Sequence, residues 1–161
     1  MQQIKLIAVG KLNAAYFRQA AAEYQKRLGA WCRLEVTELP EEPISEKSAS
    51  PAAVAKALEK EGKAILAAVP KGAALAALCI EGALFSSEDL AEYLAARALA
   101  GQGCVAFVIG SSHGLSDEVK RRADKKLSMS RMTFPHQLAR VMLLEQLYRA
   151  FSINAGTKYH K

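Results

Sequence analysis

The run Cys104-Val105-Ala106-Phe107-Val108-Ile109, closed by Gly110-Ser111-Ser112-His113-Gly114, sets the architecture of this chain. An uninterrupted apolar stretch with β-branched and aromatic side chains predicts a strand covered on both faces. Beyond the glycine-bounded turn, Ser116-Asp117-Glu118 places polar and acidic groups at a helix start, where the dipole favours them. Strand, turn and helix in that order form the repeating unit of a parallel sheet.

Outward from this unit the same alternation recurs. Gln3 to Val9 is a nearly continuous apolar run ending at Gly10, and Tyr16 to Leu28 follows with helical spacing, stopped by Gly29. A less regular strand spans Cys32 to Leu39, and Pro40 to Ser50 is a loop with two prolines. Ser50 caps a helix that has Pro51 at its first position and runs to about Ala67. Ala74 to Ile80 is a further strand, closed by Glu81-Gly82. Ser86 and Asp89 have capping-box spacing and open a helix to about Ala100. Lys126 to Ser130 is a short strand, and Pro135 opens a last helix to about Ile153. The expected fold is therefore α/β, a mostly parallel sheet flanked by helices, as a single domain over residues 1–161. Ligands bind beyond the carboxyl ends of such strands, which selects Glu81-Gly82, Gly110 to Gly114 and the residues after Ser130.

Composition narrows the partners. No apolar run approaches the roughly 20 residues of a membrane helix, and Ile4 to Val9 reads as a first strand, not a signal peptide. Cys32, Cys79 and Cys104 are odd in number, far apart and set in apolar runs, so buried free thiols in a reducing cytosol are expected, with no disulfide or metal. The formal charge of +6 suits a polyanion such as RNA, although many basic proteins bind none.

Four groups of residues carry chemistry. Gly110 to Gly114 matches the G-x-S-x-G nucleophile elbow, with Asp124 and His136 as the available acid and histidine. A small serine hydrolase using Ser112 is thus one reading, and a glycine turn that lets backbone approach a ligand is the other. The last helix is apolar over more than one stripe, which suits a central element or a subunit interface. On it, Glu145 and Arg149 stand four residues apart, either as a plain helical ion pair or as a pair that holds a site together. The tail from Asn154 to Lys161 carries Tyr159, His160 and two lysines, groups that stack on bases and contact phosphates, although tails often fray. Lys120-Arg121-Arg122 with Lys125-Lys126 is a solvated helix face or an RNA-backbone contact.

Two long stretches, Phe107 to Leu115 and Leu127 to Leu138, together with Glu145-Gln146-Leu147-Tyr148-Arg149-Ala150 and the closing Tyr159-His160-Lys161, resemble the RlmH (YbeA-like) family. The opening Ile4 to Lys11 is also similar, so the resemblance spans the chain. It implies a SPOUT-class enzyme that uses S-adenosylmethionine to methylate N3 of a pseudouridine in large-subunit ribosomal RNA, on the assembled ribosome in the cytoplasm. It further implies a homodimer and a deep trefoil knot in the part that binds the donor, roughly residues 74–161; general topology rules argue against knots, and this class is an exception. By motif matching the donor falls to Leu78, Gly110, Met129, Ser130, Arg131, Met132, Thr133 and Phe134. Stabilising the anion at the acceptor nitrogen falls to Arg149, His160 and Lys161, with His136 as a further candidate and Tyr159 stacking on the base. No metal is implied. A non-catalytic ribosome-associated RNA-binding protein remains a third reading. The chain departs from the family pattern at Ser111, where a second glycine is usual, and at Lys158, where a proline precedes the Tyr-His pair.

Overall fold

The computed structural model describes residues 1–161. Five strands form one parallel sheet: β1 (Gln3–Val9), β2 (Arg33–Leu39), β3 (Ala74–Leu84), β4 (Cys104–Ile109) and β5 (Lys125–Ser128), in the order β2-β1-β4-β3-β5. The helices are α1 (Ala15–Leu28), α2 (Pro51–Ala68), α3 (Ser87–Leu99), α4 (Asp117–Arg122) and α5 (His136–Asn154), with a short 3-10 turn at Glu46–Ser48. No helix is long and apolar enough to cross a membrane.

The continuous apolar runs have a simple cause. Successive strand residues point to opposite faces, and both faces are covered. Val105, Phe107 and Ile109 join Ile4 and Leu6 in a core with α1, α3 and α5, whereas Ala106 and Val108 join Ile7, Val9 and Leu75 beneath α2 and α4. Phe107 is fully buried and lies level with Leu6 on one side and Ala76 on the other. Helix starts follow their caps: Ser50 Oγ accepts the Ala53 amide at 3.1 Å, and Ser86 and Asp89 exchange both bonds of a capping box.

Two strand ends differ from the sequence reading. β3 does not stop at Ile80; its pairing with β5 shifts register between Leu78 and Ala83, both of which face Leu127. Gly82 serves that irregularity and is no terminator, because a Cβ there would lie 2.7 Å from the Leu127 backbone. β5 ends at Ser128 instead of Ser130, since Ser128 Oγ donates to the Ser130 carbonyl and Ser130 Oγ accepts the Met132 amide, turning the chain out of the ladder. Cys32 is buried and its thiol pushed up to about 11 by desolvation, but Cys79, in the irregular middle of β3, and Cys104, the first residue of β4, are only half-buried.

The start of α5 is anchored by a buried cation. Arg140 is 4% exposed, donating to Glu38 Oε2 at 2.5 Å and to the Gly10 carbonyl at 2.8 Å, so it ties α5 to the ends of β1 and β2. Glu38 is partly solvated, which limits the cost of orphaning it. Arg140→Met, which keeps the apolar stem, is expected to lose about 2 kcal/mol of stability in urea unfolding. An unchanged midpoint would show that the ion pair contributes nothing net.

Candidate functional site

The carboxyl ends of β3, β4 and β5 open onto a cavity of about 680 Å³, within the range of sites for small organic ligands. Its walls come from Leu78 to Glu81 in the irregular middle of β3, from the turn Gly110 to Leu115 and from the segment Leu127 to His136 apart from Arg131. Leu78, Gly110, Met129, Ser130, Met132, Thr133 and Phe134 all line it, together with His136. Arg131 is exposed and points elsewhere than the lining.

Gly110 shapes the turn. A Cβ built on it would meet the Gly114 carbonyl oxygen at 2.2 Å, so the chain doubles back here at a distance only glycine permits. Gly114, with φ +89°, closes the turn, its amide donating to the Ser111 carbonyl at 2.9 Å. Ser111, the departure from the usual glycine, fits without strain: no non-glycine residue has a positive φ, and its hydroxyl donates to Glu61 Oε1 at 3.1 Å in a buried pocket behind the turn. At the mouth Lys120 pairs with Glu81 at 2.6 Å, and the hydrogen bond from Lys120 is the chief reason the Glu81 carboxyl is lowered.

Glu61 was invisible to the sequence reading. The available signal was a carboxylate one turn before Ile65 on the buried face of α2, followed directly by Gly62, whose Cβ would lie 2.4 Å from Ser116 Oγ. Desolvation raises the Glu61 carboxyl above its ordinary value of 4.5, Glu41 and Glu42 add to the rise, and hydrogen bonds from the Glu42 amide and Ser111 oppose it. A raised folded-state value means a stabilising contribution that is full below the unfolded value and lost as pH climbs through the folded one. Glu61→Gln does not titrate, so its melting temperature is expected to rise relative to the parent as pH climbs from the ordinary carboxylate value of 4.5 through the raised folded-state value. A difference that shrinks over that window would reverse the sign.

The tail forms a second cluster. Arg149 donates to Glu145 Oε1 through Nη2 at 2.5 Å and Nε at 3.0 Å, and Tyr159 OH donates to the same oxygen at 3.1 Å. The Arg149 guanidinium lies 4.8 Å from the Tyr159 ring centroid, and Tyr148 packs edge-on against that ring. Burial, then the bond to Glu145, push the Tyr159 phenol up to about 12, so it stays neutral at physiological pH. His160 Nδ1 lies 3.2 Å from Arg149 Nη1 and its Nε2 lies 2.8 Å from Glu88 Oε1. Guanidinium only donates, so Nδ1 accepts and Nε2–H donates to Glu88, which is the neutral imidazole. Thus Arg149, Tyr159 and His160 come together, Lys161 is exposed, and none of the four lines the cavity; His136 alone among the expected catalytic residues does.

The elbow reading finds no triad. Ser112 is exposed with no histidine bonded to it, and Asp124 Oδ2 instead accepts the Leu75 amide at 2.7 Å.

The chain is thus a parallel α/β protein with a cavity where β3, β4 and β5 meet the turns that follow them, an architecture shared with known methyltransferases. A family model described as predicted SPOUT methyltransferase matches residues 2–160, and the chain belongs to that family. Within it the chain falls with the RlmH proteins. It is 49% identical over 158 residues to ribosomal RNA large subunit methyltransferase H of Ligilactobacillus salivarius, covering 98% of this chain and 99% of that protein. To the protein of the same name from Lactococcus lactis it is 48% identical, covering 99% of each. Among solved structures, a probable methyltransferase from Bordetella pertussis superposes with a TM-score of 0.54 at 19% identity, over 93% of this chain and 96% of that one. A probable methylase family protein from Haemophilus influenzae superposes with a TM-score of 0.53 at 19% identity, over 99% of this chain and 70% of that one. At that identity these two speak for the fold alone.

Proposed function

We propose that this protein transfers a methyl group from S-adenosylmethionine to N3 of a pseudouridine in large-subunit ribosomal RNA, acting on the assembled ribosome in the cytoplasm. The observation that carries the reading is the cavity at the ends of β3, β4 and β5, lined by the residues that motif matching assigns to the donor, Arg131 excepted. The names of the full-length relatives supply the RNA. SPOUT methyltransferases use S-adenosylmethionine in general, and the residues present fit it. Leu78, Ile109, Leu127 and Phe134 offer apolar walls for a flat base, while the tight turn at Gly110 leaves backbone bare beside the cavity.

Once bound, the donor supplies an activated methyl on a sulfonium, and no metal is needed. The chain's own work is to position and to steady charge. An imide nitrogen between two carbonyls becomes a nucleophile as its proton leaves, and cations or N–H donors near the carbonyl oxygens stabilise the resulting anion. Arg149, His160 and Lys161 take that role, Tyr159 stacks on the base, and His136 stands at the donor cavity as a further candidate. Because the tail cluster does not line the cavity of its own chain, the reading requires a homodimer in which one tail completes the other subunit's site. Residues 74–161 carry the trefoil knot of the class in this reading. Arg121, Arg122 and Lys126 are exposed and suit contact with RNA phosphates.

Isothermal titration with S-adenosylmethionine, with the dimer state measured alongside, tests the reading. One saturable site per subunit is expected, followed by methyl transfer to ribosomes in preference to free RNA. RNA binding without donor affinity would leave a non-catalytic RNA-binding protein, and labelling of Ser112 by a fluorophosphonate would revive the hydrolase.

A further inference from the structure

Glu61 is 5% exposed and lies behind the turn that walls the cavity. One of its oxygens accepts the Ser111 hydroxyl at 3.1 Å, and the other accepts the Glu42 amide at 2.9 Å. One carboxylate therefore joins three segments distant in sequence: α2, the loop after β2 and the turn after β4. Glu42 also pairs with Lys60 at 3.3 Å, and Glu41 of the same loop lies by the end of β1, where a Cβ on Gly10 would lie 3.5 Å from Glu41 Oε2 and 3.9 Å from His136 Nε2. Burying a carboxylate is costly, and the two donors it accepts from offset that cost only in part.

We propose that Glu61 is a positioning residue of the donor site, bracing the Gly110–Gly114 turn from behind through the Ser111 hydroxyl and anchoring it to the loop after β2. This rests on the reading of the cavity as the donor site. The bracing has a physical basis in satisfiability. Ser111 is buried at 5% exposure, so without Glu61 its hydroxyl and the Glu42 amide lose their acceptors together. A glutamine restores both contacts: its carbonyl oxygen accepts the Glu42 amide, and its amide donates to Ser111 Oγ, reversing that bond. An alanine restores neither.

The experiment measures S-adenosylmethionine affinity by calorimetry for the parent, Glu61→Ala, Glu61→Gln, Ser111→Gly and the Glu61→Ala/Ser111→Gly double variant. Backbone hydrogen exchange of residues 111–115 and thermal unfolding are measured without ligand. Glu61→Ala is expected to weaken binding about 10-fold, Glu61→Gln to stay within about 3-fold, and the double variant to be no weaker than Glu61→Ala, because both changes break one bond. Exchange at 111–115 should quicken about 10-fold in Glu61→Ala and Ser111→Gly. If Glu61→Ala melts earlier yet binds and exchanges at 111–115 like the parent, Glu61 only supports the fold and the proposal is overturned. It is overturned equally if the two single effects multiply in the double variant. If the parent itself does not bind the donor, the functional reading fails, and exchange at 111–115 still decides whether Glu61 braces the turn.

Discussion

Gly110→Ala is expected to weaken S-adenosylmethionine binding at least about 100-fold while leaving the sheet intact. The added Cβ would lie 2.2 Å from the Gly114 carbonyl oxygen, 2.6 Å from its carbon and 2.9 Å from Leu115 Cδ2. Two of those atoms are backbone, so no change of rotamer relieves the overlap, and the turn itself must open. The turn cannot open locally without cost, since Ser111 and Gly114 are bridged and Ser111 is held from behind by Glu61. The displaced segment is one wall of the cavity, so the strain appears as lost affinity more than as lost fold. Gly103→Ala is the matched control: a Cβ there meets nothing within 4 Å and its φ is not positive, so binding should stay within about twofold. Titration of both variants, with circular dichroism to confirm the fold, decides the matter. A Gly110→Ala protein that binds like Gly103→Ala would remove the turn from the donor site.

The Tyr159→Ala/His160→Ala variant is expected to lose at least about 100-fold in methyl transfer to ribosomes, with donor affinity held within about 3-fold. The two losses separate because neither side chain lines the cavity. Both hold Arg149 in place: Tyr159 shares the Glu145 oxygen and lies against the guanidinium, and His160 accepts from its Nη1. Removing them frees the cation and deletes the stacking ring at once. In the assigned mechanism those groups meet the RNA base only in the reacting complex, so kcat should fall and donor binding should not. Single-turnover transfer to ribosomes and calorimetry with S-adenosylmethionine measure the two quantities. Full transfer by the double variant would sink the tail's role, and equal losses in both would place the tail at the donor instead.

Much of the fold was legible because its signals are local. The alternation of Cys104 through Ile109 between two covered faces made a parallel strand readable from six side chains, and Ser50, Ser86 and Ser116 cap the helices they precede. The strand ends were less legible, because they depend on partners: Gly82 reads as a terminator until Leu127 is placed 2.7 Å from it. The segment Met129 to Phe134, proposed for the donor, came from resemblance and the strand-end position from the sheet rule, and that segment lines the cavity there except at Arg131.

What the linear order of residues determined, then, is the layer architecture, the helix starts and the side of the sheet on which the cavity opens, since periodicity, capping and chain direction act over a few neighbouring residues. The tertiary structure alone decided that Glu61 supports Ser111 across 50 positions, that Arg140 clasps Gly10 across 130, and that the tail gathers around Glu145 away from its own chain's cavity. Those contacts join residues whose separation leaves no periodic trace, and only burial makes their hydrogen bonds obligatory.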